Sequence, residues 1–299
     1  MARVLAVSTR EGLFHSDSEQ PVAFPGQEVN HLAHGPTGSL WAVVERKHLW
    51  KATPEWSHVS SADRLTLNCA LPLQDDVLVG ASEGHLLRLV EGELEVVRGV
   101  EEAEGREAWY TPWGGPPDVR SLSADGAVYA NVHVGGILRS DEAGRWSQVI
   151  DIHSDVHEVL AMPGGLVLAA TAKGLAISRD SGESWEFDDA GLHATYCRAV
   201  TLCEDVVLVS AAVGPHGGRA AVYRRPLDAS GPLEKCSRGL PEWFGDNIDT
   251  GCLTGADGAV ALGTSDGRVF LSEDCGDHWT GLAGGLPEVL HVSFVDEQA

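Results

Sequence analysis

Seven short segments recur along the chain, each an apolar strand that ends on a polar residue. They are GLFHS (12–16), HLWK (48–51), HLLR (85–88), GILRS (136–140), GLAIS (174–178), AVYR (221–224) and RVFLS (268–272). Their last residues fall at 16, 51, 88, 140, 178, 224 and 272, at spacings of 35, 37, 52, 38, 46 and 48. A repeat near 43 residues constrains the fold more than any local signal, because a unit of that size buries its apolar faces only by stacking against its neighbours. Each segment follows a β-rich stretch that ends in a turn, such as SLWAVVERK, DVLVGASEG, LVLAATAKG or AVALGTSDG. In most copies another stretch comes earlier, among them VNHLAHGP, LTLNCALP, DVRSLSAD, VHEVLAMP and YCRAVTL. The unit is therefore three or four short strands broken by Gly, Pro or Asp, with no 3.6-residue helical pattern. Units of this kind at this period are propeller blades.

The first copy opens directly on VLAVST and lacks an inner strand, whereas the last is followed by an orphan strand, EVLHVSFV (288–295). Pairing the two closes the ring and removes the open sheet edge. The expected fold is an all-β, seven-bladed β-propeller forming a single domain over 1–299. Its blades are expected near 289–295 with 3–24, 28–60, 64–100, 117–150, 155–192, 195–240 and 246–286.

The 35 glycines among 299 residues suit a fold with many tight turns. A net charge of -23 attracts neither nucleic acid nor an anionic membrane, so the expected partner is a small molecule or a protein. The opening MARVLAVSTREGLF has no apolar run of secretory length, and VVLVSAAVG from Val206 is about half of a membrane span. Six cysteines at 69, 197, 203, 236, 252 and 275 show no close pairing; reduced thiols and a cytoplasmic location are expected.

Two stretches, SRDSGESW (178–185) and SEDCGDHW (272–279), share the pattern Ser-x-Asp-x-Gly-x-x-Trp, and SDEAGRW (140–146) is one residue short of it. The pattern resembles the Asp-box, or bacterial neuraminidase repeat. It is found in sialidases, xyloglucan-cleaving propellers, the sortilin luminal domain and the photosystem II assembly-factor propeller. Physically, Asp180 and Asp274 suit a turn in which a carboxylate accepts from loop N–H groups. Gly182 and Gly276 suit a positive φ, and Trp185 and Trp279 offer apolar surface to clamp the turn, with Ser178 and Ser272 opening it. The resemblance implies that the box lies on the face away from any ligand, as structure rather than chemistry. The further acidic ligands of an EF-hand are missing.

Candidate chemistry lies instead where inner strands and their entry loops converge. Aligned inner strands place Asn30/His31, Thr66/Leu67, Arg120/Ser121, His157/Glu158, Cys197/Arg198, Asp249/Thr250 and Leu290/His291 in equivalent positions. From these, His157, Arg120, Arg198, Asp249 and His291 are the expected catalytic groups, suited to polarising a substrate and moving protons. His31, His133, Trp113, Tyr196 and Arg219 are the expected ligand-binding groups. Two long entries, EAWYTPWGGPPD (107–118) and PEWFGDNID (241–249), bring Trp109, Tyr110, Trp113, Trp243 and Phe244 either to the rim of a polar organic ligand site or onto blade flanks. HSDVH sets His153, Asp155 and His157 two apart, on one side of an extended segment. That set can hold a divalent metal with help from His133, His193 or His291; alternatively Asp155 caps a turn while one His lines the pore.

Arg120, Arg198 and Arg219, with Tyr196 and Glu158, resemble the sialidase arginine cluster, but the family's early Arg-Ile-Pro motif is missing and sialidases have six blades. A glycosidase needs two carboxyl groups across the bond, for which Asp249 with Glu158 or Asp118 are available. Cys197 beside Arg198 reads as a lowered-pKa thiolate or as a small buried filler. Two classes of function remain: a hydrolase or lyase acting on a carbohydrate-like or carboxylated molecule, and a non-catalytic scaffold or assembly factor.

Overall fold

The computed structural model describes residues 4–295; the expected blade start at residue 3 and the domain ends at 1–3 and 296–299 lie outside them. The chain is a seven-bladed β-propeller built of antiparallel sheets. Among the described residues six sheets have four strands and one has three. Blade 4 is Val119–Asp125, Ala127–Val132, Gly136–Ser140 and Trp146–Gln148; blade 5 is Val156–Met162, Leu166–Thr171, Gly174–Ser178 and Glu186–Asp188. Blade 6 runs from Tyr196–Cys203 to Glu234–Lys235, and blade 7 from Leu253–Ala256 to Thr280–Ala283. Blades 2 and 3 begin at Val29–His34 and Leu67–Pro72.

Blade 1 is the three-stranded sheet. Its inner strand is the C-terminal Val289–Val295, antiparallel to Val4–Thr9, with Val7 opposite Val292 and Leu5 opposite Phe294. A single bridge between Leu13 and Ala23 stands in the place of a fourth strand.

Burial follows the strand order. Second strands such as Leu40–Val44, Val77–Ala81 and Ala259–Gly263 are buried at every residue, as near-continuous apolar runs must be when both faces are covered. Outer strands such as Glu93–Val96 and Thr280–Ala283 are largely exposed. Residues 28–167 with 178–185 form one compact unit, and the described residues up to 27 with 168–177 and 186–295 form the other. In the first unit, Leu78, Leu86, Val119, Val132, Leu138 and Trp146 share a core; in the second, Leu208, Val222, Phe244, Leu262, Phe270 and Trp279 do.

Among the described residues five inner strands carry a bulge near their start, between Val29 and His31, Leu67 and Cys69, Val119 and Ser121, Cys197 and Val200, and Val289 and His291. The residues set out of register include Asn30, Asn68, Arg120 and Arg198. A bulge re-aims a side chain that a regular ladder would bury. In blade 3 the equivalent position is thus Asn68, two residues beyond the expected Thr66.

One expectation is overturned outright. Cys203 and Cys275 form a disulfide across 72 residues, with Cα atoms 5.5 Å apart, while Cys69, Cys197, Cys236 and Cys252 are buried thiols outside any disulfide. Spacing along the chain hid the pair, because blades 6 and 7 bring together cysteines a whole repeat and more apart. No helix among the described residues is long and apolar enough to cross a membrane.

Candidate functional site

Blade 4's second strand ends at Val132 and turns at once. Gly135 N–H donates to Val132 O (2.8 Å) and His133 N–H to Asp118 O (2.9 Å). Within this turn Val134 holds a φ of 55°, a left-handed conformation that a β-branched residue adopts only where its surroundings impose it. The turn drives the His133 ring inward, leaving it 2 % exposed.

A second turn precedes blade 5. Ile152–Ser154 forms a single 3-10 turn whose cap, Asp151, accepts from His153 N–H at 2.6 Å. Asp155 then takes a φ of 49°, a conformation Asp tolerates better than most residues, and the extended strand begins only at Val156. The expected alternation across 153, 155 and 157 therefore fails. His153 is exposed on the turn, and it is His133 that joins Asp155 and the fully buried His157.

The three side chains converge. Asp155 Oδ1 lies 3.2 Å from His133 Nε2 and 3.7 Å from His157 Nε2, and one ligand-type atom from each residue falls within 4.8 Å of the others. The imidazoles stand 5.7 Å apart at 34°. Trp113, 68 % exposed, stacks on His133 at 5.3 Å between ring centroids and 28° between planes. Burial works against the Asp155 charge, yet the contact from His133 and the charges of His157, His133 and Arg120 outweigh it, so the carboxyl stays below its ordinary range. Among the described residues, His133 Nδ1, Ser154 Oγ and both amide atoms of Asn131 are buried without a hydrogen-bond partner.

A separate cluster lies in the other compact unit. The half-buried Arg198 sends Nη2 to Asp249 Oδ1 at 2.6 Å and Nη1 to Tyr196 Oη at 3.4 Å, with its guanidinium 5.9 Å over the Tyr196 ring. Burial opposes its charge, but Asp249 and Tyr196 prevail and raise its pKa. Thr250 Oγ1 donates to Arg198 O at 3.1 Å. His291 packs on the same turn, so closely that a Cβ on Gly251 would sit 2.3 Å from its Cδ2.

Other expected site residues are engaged elsewhere. His31 Nε2 is 3.2 Å from Ala70 O, and desolvation lowers its pKa to about 4. Arg219 lies 4.5 Å over the Trp243 ring, with Lys235 3.3 Å from the same ring and His193 4.6 Å from it. Trp109 and Phe244 are core residues, 8 % and 3 % exposed, so Trp113 and Tyr110 are the exposed aromatics of the first entry loop. Burial pushes the Cys197 thiol up to about 12, which removes the thiolate reading. Surface grooves such as the one lined by Arg88, Val96, Arg98, Val128 and Trp146 contain no residue of either cluster.

The two Ser-x-Asp-x-Gly-x-x-Trp loops are the same structure twice. Ser178 Oγ donates to Asp180 Oδ1 (2.8 Å) and accepts from Gly182 N–H (2.7 Å); Ser272 does so with Asp274 and Gly276 at 2.8 Å each. Asp180 Oδ1 accepts from Ser184 N–H (2.9 Å), and Asp274 Oδ1 from His278 N–H (2.8 Å). Trp185 and Trp279 return Nε1–H to Gly182 O and Gly276 O at 3.2 and 3.0 Å. The glycines have φ of 88° and 87°. The Ser184 hydroxyl and N–H, with Ser178, hold the Asp180 carboxyl down to about 2.

Sequence reasoning missed the arginines that grip these loops. Arg139 of blade 4 donates to Ser181 O and Glu183 Oε1, both at 2.6 Å, and Arg224 of blade 6 donates to Cys275 O (3.0 Å) and Asp277 Oδ1 (2.8 Å). The signal was present in the repeat itself, since GILRS and AVYR align with an Arg in the same strand.

No family model and no curated protein matches the chain. Solved structures share its fold. The computationally designed Ika8 protein is 13 % identical, with a TM-score of 0.62, over 99 % of this chain and 88 % of that one. YCF48 bound to D1 peptide is 15 % identical, with a TM-score of 0.58, over 93 % of this chain and 84 % of that one. The extracellular domain of the putative hybrid two component system BT3049 from B. thetaiotaomicron is 12 % identical, with a TM-score of 0.65, over 98 % of this chain but 38 % of that one.

Proposed function

We propose that this propeller binds a polar small molecule, carbohydrate-like or carboxylated, at the site formed by Trp113, His133, Asp155 and His157. The observation that carries the reading is an exposed indole stacked on a buried imidazole that in turn meets a carboxylate and a second imidazole. An exposed aromatic face beside convergent polar groups suits a ring-shaped polar ligand. The same groups supply acid–base capacity for a hydrolase or lyase. Arg198, Asp249, Tyr196 and His291 form a second polar cluster open to the same class of molecule. The Ser178–Trp185 and Ser272–Trp279 loops are proposed as Asp-boxes that fasten outer turns and take no part in binding. A thermal-shift screen of sugars, sugar acids and small carboxylates tests the reading. Every hit binding Trp113→Ala and Asp155→Asn proteins as tightly as the original would overturn it.

A protein-binding role is the second reading, favoured by the likeness to YCF48 bound to D1 peptide and by the net charge of -23, which suits basic segments. A stable complex captured by the intact protein, insensitive to Asp155→Asn, would favour it over the first.

The Cys203–Cys275 bond belongs in surroundings that keep thiols oxidised, and tells against the reducing cytoplasm expected from cysteine spacing. Alkylation of the protein at the moment of lysis of its own host, followed by mass measurement, decides the compartment question.

A further inference from the structure

We propose that His133, Asp155 and His157 bind one divalent transition-metal ion, zinc in the first instance, through Nε2, Oδ1 and Nε2. Zinc bonds to imidazole nitrogen and carboxylate oxygen are about 2.0–2.2 Å long, which spaces neighbouring ligand atoms roughly 3–3.6 Å apart. The two contacts to Asp155 Oδ1, at 3.2 and 3.7 Å, already lie at or next to that spacing. Small rotations of the imidazoles complete it, since all three atoms fit within 4.8 Å.

His133 Nε2 and His157 Nε2 both face the same Asp155 oxygen, at 3.2 and 3.7 Å. A carboxylate oxygen faced by two buried imidazoles is arranged as a ligand set. Zinc takes imidazole in its neutral form beside a charged carboxylate, which is the chemistry of this donor set. Two nitrogens and one oxygen form the donor set of open metal sites, which keep a position for water or substrate. Of the three ligands Asp155 is the open one, its side chain 28 % exposed, and the exposed Trp113 indole stacks on the His133 ring.

The ligands are also held in place from outside the cluster. Val134 and Asp155 occupy left-handed φ of 55° and 49°, so the two turns fix His133 and the carboxylate before any ion arrives. His157 is fixed by the blade 5 inner strand. None of this involves His153, despite its place in HSDVH.

The inference deepens the proposed small-molecule site and rests on it, because the open metal position would face the same ligand. The test uses the full chain stripped with chelator and titrated with zinc chloride alone by calorimetry, with metal content measured after dialysis. One tightly bound equivalent is expected, weakened more than about 100-fold by His133→Ala and by Asp155→Asn, and unchanged by His153→Ala. Asp155→Asn preserves shape and guards against simple misfolding, and thermal melts of each variant confirm the fold. X-ray absorption of the zinc-loaded protein is expected to show two imidazoles. Absence of a stoichiometric site, or a site that survives both His133→Ala and Asp155→Asn as an adventitious ion would, overturns the inference. No zinc site, together with an organic hit that metal-free protein binds and Trp113→Ala weakens, would sink the metal and leave the small-molecule reading standing.

Discussion

The Trp113 indole stacks on the His133 imidazole at 5.3 Å and 28°, joining the exposed tip of a loop to a ring that is 2 % exposed. The indole is 68 % open, so its removal uncovers the cluster without opening a core cavity. Trp113→Ala is expected to change unfolding free energy by less than about 0.5 kcal/mol, as surface substitutions do. The same change should weaken ligand binding about 2- to 10-fold, the worth of one aromatic contact. Urea denaturation and calorimetry of the same preparation separate the two effects.

Arg139 and Arg224 grip the Ser178–Trp185 and Ser272–Trp279 loops. Arg139→Ala leaves Ser181 O without a charged donor, and Arg224→Ala does the same to Cys275 O. Each is expected to cost about 1–2 kcal/mol of stability with no effect on binding. Gly276→Ala should cost more than Gly182→Ala. Both positions have positive φ, but a new Cβ would sit 2.6 Å from Leu208 Cδ2 in the first and 3.3 Å from Val149 Cγ2 in the second. Equal melting temperatures for the two alanine variants would contradict this.

Acid should act in two steps. His31 has a pKa of about 4 when folded, below its ordinary 6.5, so the unfolded chain binds more protons between those values. Its contribution is therefore intact above pH 6.5 and falls as pH drops toward 4, by up to roughly 3 kcal/mol. Asp155 has the opposite chemistry and a lower window. Its depressed carboxyl contributes stability above the ordinary carboxylate pKa, lost as pH falls through the folded value. His31→Gln is expected to flatten the profile between pH 6.5 and 4 while leaving the steeper loss below it, as read from denaturation midpoints.

The Cys203–Cys275 disulfide closes a 72-residue span. By chain entropy it contributes about 4 kcal/mol, so Cys275→Ser should lower stability on that scale, and reductant should do the same to the original protein but not to the variant. Unfolding midpoints that ignore reductant would show that the bond does not form in solution.

The blade repeat was legible because each copy carries the same punctuation: a β-rich run, a Gly-containing turn and a short strand ending on a polar residue. The missing inner strand at Val4 and the orphan at Val289–Val295 even revealed how the termini pair. Arg120 and Arg198 could be picked out by alignment, yet their placement depends on bulges that leave no mark in residue type. HSDVH misled for a local reason: the cap at Asp151 favours a 3-10 turn over an extended run, so period two does not apply before Val156. His133 was named as a helper, and its ring nitrogen lies nearer Asp155 Oδ1 than that of His157, because adjacent blades place residues 22 positions apart side by side. The disulfide and the arginine grips share that cause, being contacts between blades rather than within them.

The central claim is that ligand meets protein at His133 and His157. Histidine side-chain 15N spectra recorded during titration with the best hit of the thermal-shift screen test it most directly. The account predicts saturable shifts of the His133 and His157 ring nitrogens while His15 and His278 stay still; saturable binding that leaves both His133 and His157 unmoved would contradict it.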